Sequence, residues 1–341
     1  MIGTGETMTI SRRKLAGAGA AGMLASPYVA RAQAQPIHLV FSHHVAAAHM
    51  IHGVAEKFAD QVKRTTNGQV TIDIRPAGQL FNLRTSAEAL QLGTLDLCWS
   101  DLGTLANWQP QFGFTALPFL FNDYDHVRKV LYGPIGEQIT KEAKDTLGVE
   151  ILSLGASGFR VFVTKKEVKS AEDVRGIKLR VPEIPVYIEM ARALGTNPTP
   201  VPTAEIYTAM QTGVVDGFEA PPDSVIAFKQ YEVSKFATRT HHIFTEVSMM
   251  ASAKKMASLP ANVQKALRDA AVDTVATQMW EANLKEQAAA WTDLASKITA
   301  NASPDIPSFR SKMGPVIDGF VAKAGPKGKA YVEATQAAGR A

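Results

Sequence analysis

The sequence of 341 residues is poor in cysteine, in net charge and in long apolar runs, and each shortage excludes a class of protein. The single cysteine, Cys98, excludes an internal disulfide and a cysteine-based metal cluster. The net charge is +4, and residues 1–34 hold four basic side chains and one acidic side chain. The remainder therefore keeps a net charge of only +1, which excludes a basic field for nucleic acid. No stretch after residue 34 is apolar enough to cross a membrane.

Two sequence motifs of hydrolases are also absent. Neither the G-x-S-x-G elbow of serine hydrolases nor the H-E-x-x-H motif of zinc proteases occurs. His49 and His52 stand about one helical turn apart, but no third residue with metal-ligand spacing accompanies them, which favours a solvated helix face. We therefore expect no catalytic residue, no metal and no cofactor, and we keep a secreted hydrolase only as a rival class.

The first 34 residues have the pattern of an export signal. The positively charged SRRK precedes a short run of small and apolar residues, and Ala32-Gln33-Ala34 provides a small-x-small cleavage site. The pair Arg12-Arg13 is typical of twin-arginine targeting, and general secretion is the alternative. We expect cleavage near Ala34 and a mature protein in the periplasm that does not insert into the membrane.

After the signal, strand patterns alternate with helix patterns. Period-two alternation predicts strands over 37–44, 70–76 and 94–100, and helical spacing predicts helices between them and over 123–146. Strands separated by helices predict a largely parallel sheet. From residue 261 to about 300 the chain has neither proline nor glycine. This predicts a helix about 60 Å long that either kinks or spans two domains.

The stretch GIKLRVPEIPVY, residues 176–187, places a charged side chain at the end of a strand. Apolar residues alternate with Lys178 and Arg180, and Pro182 and Pro185 then end the ladder because proline has no N–H to donate. Arg180 therefore stands where a strand opens into a loop, which is where α/β proteins bind ligands. A solvated arginine at the sheet edge is the alternative interpretation.

Five stretches of the chain together match one family pattern. They are PAGQL (76–80), LPFLF (117–121), GFRVFVTKKEVKSAEDVRGIKLRVPE (158–183), NPTPVPTAEIYTAMQTGVVDGFEAPP (197–222) and THHI (240–243). As a set they resemble the solute-binding proteins of tripartite ATP-independent periplasmic (TRAP) transporters, the DctP-like group. The resemblance covers almost all of the chain after the export signal.

The resemblance implies an α/β, periplasmic-binding-protein-like fold. Two α/β domains would enclose a ligand cleft, and a long C-terminal helix would span both. The first domain would comprise residues 35–157 plus about 246–285, and the second about 158–245 plus 286–330. This arrangement explains the long helix better than a coiled coil does.

The resemblance also implies the main ligand contact. In the family, the arginine of the K-[LI]-R-[VI]-P motif pairs with the ligand carboxylate, and Arg180 occupies that place. A guanidinium matches a carboxylate with two parallel hydrogen bonds, which lysine cannot do. Arg160 resembles a second arginine near the ligand, which either contacts the ligand or buttresses Arg180.

The strand that ends in GFEAPP gives one further candidate and one departure from the family. Glu219 matches a family glutamate that either contacts the ligand or has a structural role. Ala220 stands where many relatives have an asparagine that contacts the ligand. That hydrogen bond cannot be carried over to an alanine.

The remaining candidates lie in the first third of the chain. His44 ends the first strand, and Gln79 lies in the PAGQL turn, where the resemblance places it near the cleft. Asp101 resembles an acidic pocket position of some relatives. Trp99, two residues earlier, either lines the pocket or fills the core.

The combined expectation is an exported binding protein that performs no chemistry. It would capture a small organic acid and deliver it to the membrane subunits of a TRAP transporter. Arg180 requires one carboxylate, while Asp101 and Glu219 would repel a second one, which favours a sugar acid such as a uronate or an aldonate. A dicarboxylate, an aromatic or branched monocarboxylate suited to Trp99, and a role as a periplasmic sensor subunit stay open.

Overall fold

The computed structural model describes residues 35–340, together with Met1 and Gly3. Apart from those two residues, the predicted export signal lies outside the described part of the chain. Within that part, no helix combines the length and the apolar character needed to span a bilayer. Residues from Pro36 onward form one compact unit that is built on two β-sheets.

Short strands recur along the chain as far as Asn301. Most of them are buried, and their side chains supply much of the core. The strands are β1 (Ile37–Ser42), β2 (Val70–Arg75), β3 (Leu97–Ser100), β4 (Val149–Phe159), β5 (Val161–Thr164), β6 (Lys178–Val181), β7 (Asn197–Pro200), β8 (Gly217–Ala220), β9 (Phe236–Thr238), β10 (Phe244–Ser252) and β11 (Thr299–Asn301).

Both sheets mix parallel and antiparallel strands. The first has the order β2-β1-β3-β10-β4, and the second has the order β11-β9-β5-β8-β6-β7. β1 is parallel to β2 and β3, and β6 is parallel to β7 and β8, whereas β10 and β5 are antiparallel to both of their neighbours. The prediction of a largely parallel sheet is therefore correct for β1–β3, for β6–β8 and for β9 with β11, and it is wrong for β5 and β10.

The chain passes between the two sheets more than once. β4 of the first sheet leads through Arg160 into β5 of the second, and β9 of the second leads through residues 239–243 into β10 of the first. The two-sheet α/β architecture agrees with the expected periplasmic-binding-protein-like fold. The boundaries at 157/158, 245/246 and 285/286 stay a prediction.

Helices connect the strands and cover the sheets. Short 3-10 segments at Pro110–Ala116, Ala171–Val174, Thr203–Glu205 and Gln230–Val233 accompany them. The α-helices are α1 (Met50–Thr65), α2 (Leu83–Leu92), α3 (Leu102–Leu105), α4 (Tyr124–Leu131), α5 (Pro134–Leu147), α6 (Pro185–Ala193), α7 (Ile206–Gln211), α8 (Pro222–Ala227), α9 (Ala253–Ser258), α10 (Ala261–Ala271), α11 (Trp280–Lys297), α12 (Ile306–Arg310) and α13 (Gly314–Ala338).

The helix predicted over 123–146 is two helices, and this prediction is wrong in its continuity. α4 ends at Leu131, and α5 begins at Pro134 after Gly133. Proline has no N–H to donate to the preceding turn but suits the first position of a helix. Gly148, in the left-handed region at φ 65°, ends α5.

The long helix predicted after residue 260 is present and packs into one hydrophobic core beside each sheet. α10 continues through a π-helical segment, Val272–Met279, directly into α11. Its side chains Leu267 and Val275 are buried in the core beside the first sheet, and Leu294 is buried in the core beside the second. The helix therefore spans both sheets, as the resemblance implied.

Candidate ligand-binding site

Polar residues from both sheets line one small cavity, which lies where the strands end. Its volume is about 50 Å³. A larger, mostly apolar groove of about 520 Å³ lies between α6 and α13, but its charged residues stand at an exposed rim. The polar lining residues of the small cavity are His44, Ser100, Asp101, Ser157, Arg160, Arg180, Thr203, Ser224, Gln230, Thr245 and Glu246.

Arg180 is a buried cation without an acidic partner in the described part of the chain. Only 2% of the residue is exposed, its Nε donates to the Val201 carbonyl oxygen at 2.8 Å, and its Nη2 lies 3.4 Å from Thr203 Oγ1. Burial and the charge of Arg160 lower the pKa of Arg180 to about 9, although Glu219 acts in the opposite direction. The guanidinium is thus charged at neutral pH, and because a buried unpaired charge is costly, an anion is strongly favoured there.

The second arginine of the cavity, Arg160, already has a counter-ion. It donates to the Glu219 carboxylate through Nε and Nη2 and to Thr245 Oγ1 at 2.9 Å, and its guanidinium lies 5.0 Å from the ring centre of Tyr187. Glu219 is fully buried behind this contact and does not line the cavity. Burial alone would raise the pKa of Glu219, but Arg160 and His242 hold it below its usual value. This geometry favours a buttressing role for Arg160.

Two carboxyl groups, Asp101 and Glu246, face the cavity from the first sheet. The Thr104 backbone N–H donates to Asp101 Oδ1 at 2.6 Å, and the Leu102 N–H donates to Glu246, so both groups bind the first turn of α3. Ser248 Oγ donates to the other oxygen of Glu246 at 2.7 Å. Burial and Asp101 raise the pKa of Glu246 to about 8, and burial raises the pKa of Asp101. Glu246 therefore keeps its proton at neutral pH, and the pair carries at most one negative charge.

Neutral polar atoms complete the cavity wall. His44 Nδ1 and Ser100 Oγ are buried and have no hydrogen-bond partner among the described residues. Burial, then the neighbouring histidines and arginines, lower the pKa of His44 to about 3, so its imidazole is neutral at pH 7. A neutral imidazole and a hydroxyl each offer a donor and an acceptor. Both side chains therefore suit the hydroxyl groups of a ligand.

Trp99 and Gln79 do not line the cavity. Trp99 is fully buried in the first core, where its ring meets Phe41 edge to face at 5.8 Å. Gln79 is exposed in its turn, and its backbone N–H donates to the Pro76 carbonyl oxygen at 3.1 Å. The arrangement therefore supports the core alternative for Trp99, and a ligand contact of either residue stays a prediction.

His49, Asp223 and Ser224 have the residue types of a catalytic triad but a different geometry. His49, expected on a solvated face, is 3% exposed, so that expectation is wrong. Its Nε2 lies 3.0 Å from Ser224 Oγ and 3.1 Å from Asp223 Oδ2, while its Nδ1 accepts from the Ile51 N–H at 3.2 Å. Because Nδ1 is the acceptor, Nε2 carries the proton and cannot take one from Ser224, as a triad requires. The contact instead joins the start of α1 to the start of α8.

The carboxyl pair makes ligand binding depend on pH. As pH rises through about 8, Glu246 loses its proton and the cavity gains a negative charge beside Asp101, which opposes an anionic ligand. We expect the affinity for a carboxylate to fall between pH 7 and pH 9, by at most about tenfold per pH unit for one linked proton. Calorimetry across this range measures the effect.

The matched control is Glu246→Gln, which keeps an oxygen for the Leu102 N–H and removes the titration. The profile of this variant should be flatter than that of the wild type. Any decline that it retains belongs to another group of the cavity, such as Asp101, whose pKa burial also raises, since the pKa of His44 lies far below this range. Equal slopes for the two proteins would contradict the role of the carboxyl pair.

Sequence reasoning missed seven polar lining residues: Ser100, Ser157, Thr203, Ser224, Gln230, Thr245 and Glu246. Thr245 and Glu246 belong to β10, which has no recognisable motif and whose FTEVSMMAS is buried along almost its whole length. A carboxylate inside a strand without any other charged residue was the available signal, because such a group is rarely buried without a function or a partner. Ser224 and Gln230 follow β8 in a segment without distinctive spacing.

The fold and the cavity together define a class of protein. Two sheets connected by crossing strands and a long helix, with a polar cavity between their strand ends, form the architecture of a periplasmic binding protein. Residues 41–324 match the family described as bacterial extracellular solute-binding protein, family 7. The chain belongs to this family, the solute-binding proteins of TRAP transporters, which are periplasmic.

Relatives and solved structures agree with this assignment. The C4-dicarboxylate-binding periplasmic protein DctP of Rhodobacter capsulatus is 30% identical over 78% of this chain and 80% of its own length. A TRAP periplasmic solute-binding protein of Polaromonas, bound to D-erythronate, has a TM-score of 0.83 at 28% identity, covering 88% of this chain and 98% of that one. The sugar acid binding protein DctPAm of Advenella mimigardefordensis, in complex with galactonate, has a TM-score of 0.84 at 27% identity, covering 90% and 98%.

Proposed function

We propose that this protein captures a hydroxylated monocarboxylate, a sugar acid such as an aldonate or a uronate, and delivers it to the membrane subunits of a TRAP transporter. The observation that carries the proposal is Arg180, which lines the cavity as a buried guanidinium with no salt bridge among the described residues. The ligand carboxylate is its counter-ion. Arg160 holds the adjoining wall in place through Glu219.

The charges around the cavity favour one carboxylate over two. Arg180 contributes one positive charge, Arg160 and Glu219 cancel each other, and Asp101 with Glu246 contributes at most one negative charge at neutral pH. A monoanion on Arg180 would leave at most one excess negative charge. A dicarboxylate would bring a second charge against the acidic pair, where like charges repel.

The neutral part of the wall favours hydroxyl groups over an aromatic or branched chain. His44 and Ser100 present polar atoms without a hydrogen-bond partner in the described part of the chain, and burying these against an apolar ligand would leave them unsatisfied at a cost of about 1–3 kcal/mol each. The indole of Trp99 lies in the core and gives an aromatic ligand no face to stack on. These contacts support a sugar acid as the ligand.

Entry of such a ligand requires the cavity walls to separate. The cavity volume of about 50 Å³ is far below the ~300 Å³ at which small-molecule pockets begin. Hinge closure around a bound ligand is an established motion of two-domain binding proteins. The contact of His49 with Ser224 and Asp223 joins elements of the two sheets and would break on opening.

Binding without chemistry and export complete the proposal. The proton on His49 Nε2 makes Ser224 an unsuitable nucleophile, and recovery of an unchanged acid after incubation tests this point. We expect export with cleavage near Ala34 and a mature protein in the periplasm. N-terminal sequencing of the exported protein tests the cleavage, and an intact Met1 in the periplasm would exclude it.

A thermal-shift screen of the mature protein tests the proposed ligand class. Ligand at a hundred times Kd adds about 2.7 kcal/mol to the free energy of unfolding. D-Galactonate, L-gulonate, D-galacturonate and D-erythronate form the test set, with succinate, hexanoate and neutral D-galactose as controls of charge and hydroxylation. We expect stabilisation by a member of the test set and none by the controls. Stabilisation by succinate alone would identify a dicarboxylate binder, and stabilisation by hexanoate alone an apolar-acid binder.

A further inference from the structure

Gln230 is a buried amide that faces the cavity and has no assigned task. It begins the 3-10 segment Gln230–Val233, which follows α8, and only 1% of the residue is exposed. Its Nε2 and its Oε1 both lack a hydrogen-bond partner within the described residues. The side chain lines the same cavity as Arg180 and Ala220.

Local contacts hold the backbone of Gln230 in place, whereas its side-chain amide has no such contact in the described chain. The Ser234 hydroxyl donates to the Gln230 carbonyl oxygen at 2.9 Å. The preceding residue, Lys229, adopts a left-handed conformation at φ 53°, which is uncommon for a residue other than glycine. The local structure therefore fixes where the side chain begins and leaves its donor and its acceptor directed at the cavity.

Buried amides are almost always paired, so an unpaired one at a binding cavity indicates a partner that arrives from outside the chain. Arg180 is a donor only and satisfies an anion, whereas a primary amide offers donors and an acceptor at once. A hydroxyl group also donates and accepts, but a carboxylate only accepts. The side-chain amide of Gln230 therefore suits a hydroxyl group of the ligand better than it suits a second carboxylate.

We propose that Gln230 is a specificity-determining residue that hydrogen-bonds a hydroxyl group of the bound acid. It supplies the amide that this chain lacks at Ala220, from a different segment of the same wall. The inference rests on the proposed function, because it assumes a hydroxylated acid in the cavity.

Gln230→Met tests the inference, since methionine has nearly the same length and shape and cannot pair with a hydroxyl group. Calorimetry is performed with D-galactonate, L-gulonate, D-galacturonate, D-erythronate and D-gluconate. Each acid that the wild type binds should bind the variant about tenfold or more weakly, the loss of one buried hydrogen bond. Gln230→Asn, which keeps the amide but draws it back by one methylene, should also bind more weakly and serves if the methionine variant does not fold.

The matched control is Gln111→Met. Gln111 is also a buried glutamine, at 7% exposure, but its Nε2 donates to Glu142 at 2.7 Å and it lies outside the cavity. This variant should bind the same acids with wild-type affinity. Monodeoxy analogues of the best-bound acid show which hydroxyl group Gln230 contacts. The analogue that lacks this hydroxyl group should bind the wild type more weakly than the parent acid does. Its affinity should not fall further in Gln230→Met.

The outcomes separate the two proposals. If the wild type binds one of these acids and both Gln230 variants bind it with an affinity within about threefold of the wild type, the proposed role of Gln230 is wrong. The proposed function then stands. If the wild type binds none of them, the proposed function is wrong and the inference falls with it. A loss in Gln230→Met that Gln111→Met does not share supports both.

Discussion

Arg180→Ala should weaken binding of the sugar acid by roughly thirty-fold to several thousand-fold. The ligand carboxylate would then be buried without its counter-ion, and truncating one partner of such a pair costs about 2–5 kcal/mol. The expectation depends on the burial of Arg180 and on the lack of a salt bridge to it in the described chain, because an arginine that already had a carboxylate would lose less. Calorimetry on the folded mature protein measures the change.

Two further variants separate charge from geometry. Arg180→Lys keeps a positive charge but loses the planar fork, so it should recover only part of the lost affinity. Arg192→Ala removes an arginine of α6 whose side chain is 62% exposed and paired with Glu189 at 3.1 Å, and it should leave binding unchanged. If a folded Arg180→Ala protein binds within about threefold of the wild type, the carboxylate lies elsewhere.

Glu219→Gln should reduce the free energy of unfolding by about 3 kcal/mol or more in the absence of ligand. The substitution leaves the Arg160 guanidinium buried without its counter-ion, and breaking a buried ion pair from one side typically costs about 3–5 kcal/mol. Chemical denaturation monitored by circular dichroism measures the loss. Ligand affinity should also fall, because the wall beside Arg180 loses its support.

A surface pair provides the matched control for this loss. Glu172→Gln removes a carboxylate that is 61% exposed and lies 3.0 Å from Lys312, and exposed pairs contribute at most about 1 kcal/mol. Replacing both buried partners, as in Arg160→Met with Glu219→Leu, should restore part of the stability, since no unpaired charge then remains. If Glu219→Gln and Glu172→Gln reduced the free energy of unfolding equally, the buried pair would contribute no more to stability than an exposed pair.

The parts of the fold that the sequence predicted are those with a local cause. Apolar alternation marked β1, β2 and β6, and a run without proline or glycine marked the helix from Ala261 to Lys297. β10 was not predicted because it is buried almost throughout and therefore shows little alternation of apolar and polar residues. Its pairing with β3 and β4 depends on the chain returning from the second sheet, which no local pattern encodes.

The residues of the site, too, were predicted where a local pattern marked them. Arg180 was identifiable because prolines end its strand, and its cavity position agrees with that expectation. Strand parity explains Trp99: it points into the first core with Phe41, and Ser100, the next residue along the strand, points to the cavity. Glu246 had only one local marker, its carboxylate within the buried strand β10, and its role depends on the approach of Asp101, which no local pattern encodes.

The most direct test of the carboxylate clamp is a crystal structure of the mature protein with the sugar acid that stabilises it most. We predict that both carboxylate oxygens lie within about 3.2 Å of Arg180 guanidinium nitrogens, as two parallel hydrogen bonds require. The Arg160–Glu219 pair should stay intact beside them. A carboxylate bound elsewhere, with Arg180 still donating only to Val201 and Thr203, would contradict the account.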